Sequence, residues 1–206
     1  MFRPLLLAAF LAFGATAHAA DLSVTVHTRD GKPVEHAVVT FRPAAGAPAG
    51  PIHFDWPMRM AQKDIAFDPH VLIAPVGAEV AFPNFDSVRH HVYSFSAGNR
   101  FELRLFGRDE TRSFRFMTPG VAAIGCNIHD RMSAFIVVVD TPFAGQTDAN
   151  GRVVLHNANG AGALTVWQQD LRVPGNQVTR PLTAARAAGG EVVAIDVRDM
   201  PAAHPH

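Results

Sequence analysis

The chain has 206 residues, with 18 Lys and Arg against 18 Asp and Glu, so its formal net charge is zero with the 11 histidines neutral. That balance argues against a nucleic-acid partner and against a polybasic membrane-surface protein, while 48% hydrophobic and 17% charged residues are too apolar a mixture for a disordered chain. A single Cys excludes an intramolecular disulfide framework, and 16 Gly, 15 Pro and 15 Phe point to short strands and turns rather than helical bundles.

The chain begins Met1-Phe2-Arg3-Pro4, continues as an apolar run to Phe13, and closes on Ala17-His18-Ala19. A positive start, a short apolar stretch and small residues at the cleavage positions predict a signal peptide over residues 1–19. The run is about half the length a membrane-spanning helix needs, and no later stretch is longer. The mature chain is therefore expected in a bacterial-type periplasm, not spanning the membrane after cleavage.

Residues 22–27 alternate apolar and polar side chains, which is the strand period. With Asp30-Gly31 as a tip and a second strand over 37–41, residues 20–51 are predicted as a β-hairpin and a linker, the linker being rich in Pro, Ala and Gly over 43–51. Eight short strands are expected next, over 65–67, 71–74, 79–82, 91–96, 101–106, 111–116, 121–126 and 134–139, punctuated by Pro, Gly and Asn. Such spacing implies an antiparallel sandwich or Greek-key barrel over residues 60–140. A further β segment is predicted over 141–198, with strands near 152–155, 163–168 and 191–197. The turn Asp148-Ala149-Asn150-Gly151 repeats the pattern of Arg29 to Val34, a weak similarity pointing to one small β-sandwich that flanks the central unit. Residues 199–206 read as a frayed tail.

The string Gly125-Cys126-Asn127-Ile128-His129-Asp130-Arg131-Met132 places a thiolate, an imidazole and a thioether within one loop between two apolar strands. Upstream, Arg89-His90-His91-Val92 offers a second imidazole, and only one of the adjacent histidines can face a given side of a strand. Each residue alone has a plainer explanation: a lone Cys entering a strand is usually a small buried hydrophobe, and Met132 alone would be core. Together, a Cys, two His and a Met form the ligand set of a blue-copper site. Zinc accepts a similar set, but thioether serves it poorly. Asn84 and Asp86 are candidates for orienting the ligand loops, with His91 and Asn127 as further possible neighbours; turn formation explains Asn84 and Asp86 about equally well. His53, His70 and His156 read as solvated residues outside any site. No phosphate-binding loop, Ser-His-Asp arrangement or paired-carboxylate site is present in the sequence.

These residues resemble the cupredoxins, and the Cys-x2-His-x2-Met loop has the short amicyanin spacing. The resemblance covers about Gln62 to Asp140. It implies a Greek-key β-sandwich binding one type 1 copper through His90, Cys126, His129 and Met132, with His91 in the position where the family commonly has Asn. The strings Phe82-Pro83-Asn84-Phe85-Asp86, His90 to Ser96, Phe101-Glu102-Leu103 and Gly125 to Asp130 resemble more closely the periplasmic cupredoxin-like proteins labelled methylamine utilization proteins, a label that assigns no role in amine oxidation. The flanks are similar to carboxypeptidase-regulatory-like β segments.

The resemblance implies an electron carrier working between redox partner proteins, with the His129 edge as electron port in an apolar patch. It does not imply an enzyme, because four ligands leave no open position for substrate. Two other readings use the same residues: a copper carrier or storage protein, and a structural β-sandwich module with a vestigial metal site.

Overall fold

In the computed structural model, which describes residues 21–198, the first strand follows directly from alternation. In β1 (Leu22–Thr28), Leu22, Val24 and Val26 are buried and Ser23 is exposed. It pairs antiparallel with β13 (Arg152–Leu155) and parallel with β16 (Glu191–Ile195). The second strand, β2 (Val38–Pro43), lies in a different sheet, between β12 (Ala144–Gln146) and β14 (Gly162–Trp167), and β14 pairs onward with β15 (Gln177–Leu182). The two sheets enclose one core that includes Leu22, Val26, Phe41, Phe143, Leu164 and Ile195. Residues from both ends of the chain thus build a single outer sandwich. The signal peptide expected over 1–19 and the tail expected over 199–206 lie outside the described residues.

The hairpin expected over residues 20–51 is corrected by this arrangement. Asp30-Gly31 does form a tight turn, with Gly31 at φ +85° and the Lys32 amide donating to Thr28 Oγ1 at 3.0 Å. The returning chain, however, follows β1 no further than the Thr28 amide on Lys32 O, the His27–Pro33 bridge and the Val34 amide on Val26 O. Pro33 has no N–H to continue a ladder. The chain crosses instead to the second sheet, where Val39 and Phe41 are buried against the first.

Between β2 and β12 the chain forms a second sandwich. A short hairpin of β3 (Ala61–Lys63) and β4 (Ala66–Asp68) comes first. Then follow β5 (Val71–Pro75), β6 (Glu79–Pro83), β7 (His90–Ser94), β8 (Phe101–Phe106), β9 (Thr111–Arg115), β10 (Gly120–Gly125) and β11 (Ser133–Val139). One sheet runs β5-β11-β10-β7-β8, with β5 and β11 parallel; β6 and β9 pair separately. Neighbours so distant in sequence require connections that cross between sheets, as in Greek-key sandwiches. The core joins Val80 and Phe82 of β6 to Val92, Ile124 and Ile136 of the larger sheet, and both Cys126 and Met132 belong to it. The all-β class expected from the sequence holds.

A third apolar cluster joins the two sandwiches. Val71, Ile73, Val137 and Val139 from β5 and β11 pack with Val38, Phe54 and Trp167, and Phe54 stacks on Trp56 with ring centroids 4.5 Å apart. The free edge of β5 is closed by side chains: Trp56 Nε1 donates to Ile73 O at 2.8 Å and Gln146 Nε2 to Val71 O at 2.7 Å. An open edge would invite another chain to pair there. No helix among the described residues is long and apolar enough to cross a membrane.

Candidate metal centre

β10 ends at Gly125, and the turn that follows is fastened by its own backbone. The Cys126 amide donates to Met132 O at 3.3 Å and the Met132 amide to His129 O at 3.0 Å. This folds His129 back over Cys126 before β11 begins. His90 opens β7, which runs antiparallel beside β10 with Tyr93 opposite Gly125, so the start of β7 lies beside the turn after β10. The ladder between β7 and β8 is irregular between His90 and Val92.

The three side chains converge. Cys126 Sγ is 3.6 Å from His129 Nδ1 and 3.8 Å from His90 Nδ1, and the donor atoms of all three lie within 4.8 Å of one another. Bonds of about 2.3 Å to sulfur and about 2.0 Å to nitrogen, meeting at roughly 110–120°, put sulfur and nitrogen about 3.5–3.7 Å apart, close to the distances found here. The site therefore has the dimensions of a coordination sphere. Cys126 is 5% exposed and His90 is fully buried, whereas His129 is half-buried and reaches the surface. A soft thiolate with two imidazoles fits copper.

His90 is aimed by its neighbours. Its Nε2 lies 2.7 Å from Asp86 Oδ2, leaving Nδ1 toward Cys126. Asp86 is held in turn: its amide donates to Asn84 Oδ1 at 2.9 Å, and its two carboxylate oxygens accept from the Asp64 and Ile65 amides at 2.7 and 3.1 Å. Asn84, buried, donates from Nδ2 to Val88 O and Phe106 O, which shapes the loop that delivers His90. Carboxylate-to-imidazole support of this kind fixes a ligand's ring and tautomer.

The other candidates fall elsewhere. His91 points away from the cluster: its Nε2 lies 2.9 Å from Glu102 Oε1 on β8, and its buried Nδ1 has no partner among the described residues. Opposite facing of adjacent strand residues explains the split. Asn127 is exposed and makes no side-chain hydrogen bond among the described residues. Met132 is 2% exposed in the core cluster that holds Cys126. His70 Nε2 lies 2.6 Å from Gln169 Oε1, and His156 Nδ1 2.9 Å from Asp21 Oδ2; neither belongs to the cluster.

No family model and no curated protein matches the chain. Among solved structures the chain is similar to a purple cupredoxin from Nitrosopumilus maritimus, at 20% identity over 39% of this chain and 98% of that one, with TM-score 0.36. It is similar to a reduced amicyanin variant at 17% identity, over 51% of this chain and 100% of that one, with TM-score 0.38. A Cu-containing nitrite reductase from Thermus scotoductus matches at 23% identity, over 57% of this chain but 28% of its own, with TM-score 0.39.

Proposed function

We propose that the protein binds one type 1 copper ion, which His90, Cys126 and His129 would hold with Met132 as a fourth donor, and carries single electrons between redox proteins of a periplasm. The observation that carries this reading is the convergence of one thiol sulfur and two imidazole Nδ1 atoms at 3.6 and 3.8 Å. Copper bound there supplies a one-electron Cu(II)/Cu(I) couple. The chain's own residues do the rest. Cys126 offers sulfur from a water-poor core, where a thiolate is retained only against a metal or another positive group. Asp86 keeps His90 in place, so the site need not rearrange as the charge on the metal changes.

His129 is the ligand that reaches solvent, and apolar side chains flank both ligand loops: Ile128 beside His129, and Phe85 and Val88 ahead of His90, all well exposed. With a net charge of zero, docking through such a rim relies on apolar contact rather than long-range steering. Four protein ligands leave no position for a substrate, so the reading is a carrier and not an enzyme. The experiment is to load the purified protein with Cu(II) and record visible and EPR spectra and a voltammogram. A strong thiolate-to-Cu(II) charge-transfer band with a reversible couple supports the reading. A colourless protein that retains only Cu(I) makes it a copper carrier, and failure to bind copper removes it.

A further inference from the structure

The turn joining β3 to β4 is built against the conformational preference of its residues. Asp64 and Ile65 stand consecutively in the left-handed region, at φ 54° and 55°. Two-residue hairpin turns of this kind normally carry Asn-Gly or Asp-Gly, and a β-branched residue there is an outlier. Packing does not account for Ile65, which is 51% exposed. What the conformation achieves is the direction of two N–H groups: Asp64 N donates to Asp86 Oδ1 at 2.7 Å and Ile65 N to Asp86 Oδ2 at 3.1 Å. Asp86 Oδ2 is also the oxygen 2.7 Å from His90 Nε2. The hairpin is tied to the same loop a second time, where the Phe85 amide donates to Gln62 O at 2.9 Å.

We propose that the β3–β4 turn is a positioning latch for the metal site: the strained Asp64–Ile65 pair clamps the Asp86 carboxylate, which holds His90 with Nε2–H donated and Nδ1 free for the metal. This rests on reading His90 as a ligand. A ring whose one nitrogen is committed as donor presents the lone pair of the other, so the coordinating tautomer is set before any metal arrives. Strained backbone that persists at a site is maintained by the surrounding contacts, and here those contacts are the carboxylate's.

The test uses the full mature chain. In the metal-free protein, nitrogen-15 NMR should find His90 in a single Nε2–H tautomer, and the Asp64 and Ile65 amides should exchange about tenfold more slowly than other exposed turn amides. The double substitution Asp64→Pro with Ile65→Pro removes both donors and forbids positive φ. It should mix the His90 tautomers and release copper to a chelator about tenfold faster. Ile65→Gly keeps the N–H and suits the left-handed backbone, so it should release copper at the unmodified rate. An unchanged tautomer in the proline variant, with copper release within about twofold of the unmodified chain, overturns the latch. If that variant does not fold, the exchange and tautomer measurements on the unmodified chain decide: fast exchange or mixed tautomers overturn it. Should the unmodified chain bind no copper, the copper reading falls, while the metal-free NMR still decides the latch.

Discussion

Tyr93 packs on the backbone of Gly125, the residue before Cys126: a Cβ added at Gly125 would stand 2.8 Å from both Cζ and Oη of the ring, and strand register places the two residues opposite each other. Gly125→Ala must push the ring or the strand aside. Overpacking of this kind costs about 1–3 kcal/mol, read as a lower denaturant midpoint. In a Tyr93→Ala background the same substitution should cost much less, because the two residues are in contact and couple. Equal costs in both backgrounds would show that the ring does not set the requirement for glycine.

Cys126 is buried, at the hinge between β10 and the turn, and its sulfur faces both imidazoles. Thiolate coordinates where thiol does not. Cys126→Ser should lose the intense visible band of the copper-loaded protein while far-UV circular dichroism stays that of the β fold. A variant that remained strongly coloured would remove the sulfur from the ligand set.

His90 and His91 are adjacent yet face different partners, Cys126 and Glu102. His90→Gly should open the site and shift its spectrum until added imidazole restores it. His91→Gly should largely spare the spectrum and act on stability instead, since it removes a mostly buried ring at 9% exposure. The reverse pattern would make His91 the ligand.

Met132 tests whether the site is tuned for electron transfer. A long axial thioether contributes little to affinity but alters the balance of the two oxidation states. Met132→Leu, which exchanges at small packing cost, should raise the reduction potential because a donor is lost. Met132→Gln, with a harder oxygen donor, should lower it. A tenfold change in a one-electron equilibrium is about 59 mV, well within reach of voltammetry. Unchanged potentials in both variants would leave Met132 as core alone.

Asp148 gives the outer sandwich a pH signature. The Arg152 backbone amide, with the Asn150 amide adding to it, holds the carboxyl of Asp148 below its ordinary value of 3.8. A carboxyl whose folded pKa is depressed adds stability that is fully present above the unfolded pKa and is lost as pH falls through the folded one. The advantage of the unmodified chain over Asp148→Asn should therefore be constant near neutrality and shrink below about pH 3.8. Urea titrations at pH 7 and below pH 3.8 check it, and a constant difference at both would assign the effect to geometry rather than charge.

What the sequence made legible was local. Cys126 and His129 lie three residues apart, so their convergence needs only a turn, and period-two alternation separates His90 from His91. Asp86 lies four residues before His90, and its role rests on that short loop. The missing pieces are non-local. Whether β1 pairs with β2 or with β13 and β16 depends on which sheet buries Phe41 and Val39, and no turn signal encodes that. β15, which reads Gln-Val-Thr-Arg-Pro-Leu, carries a Pro and little apolar alternation, and is strand because β14 lies beside it. The helix α1 (Ala184–Gly189) is too short to show a period. The Asp64–Ile65 turn contains no Gly and so gives no sequence signal; its conformation is supported by a carboxylate 22 residues away.

The pairing of β2 with β12, in which Thr40 stands opposite Ala144, means that everything from Pro43 to Ala144 leaves and re-enters the outer sandwich through adjacent strands. In genetic terms the unit that carries His90, Cys126 and His129 is a cassette. Its two ends sit close enough for a short loop to replace it; the outer core would lose Phe143, the one member of its buried apolar cluster that comes from the inserted stretch, and Val38 and Trp167 would lose the cover of the joining cluster. A chain so shortened should fold without any metal-binding capacity. The reciprocal graft, a different binding unit spliced between β2 and β12, would need to supply its own apolar cover for Val38 and Trp167, which Val71, Ile73, Val137 and Val139 now pack against.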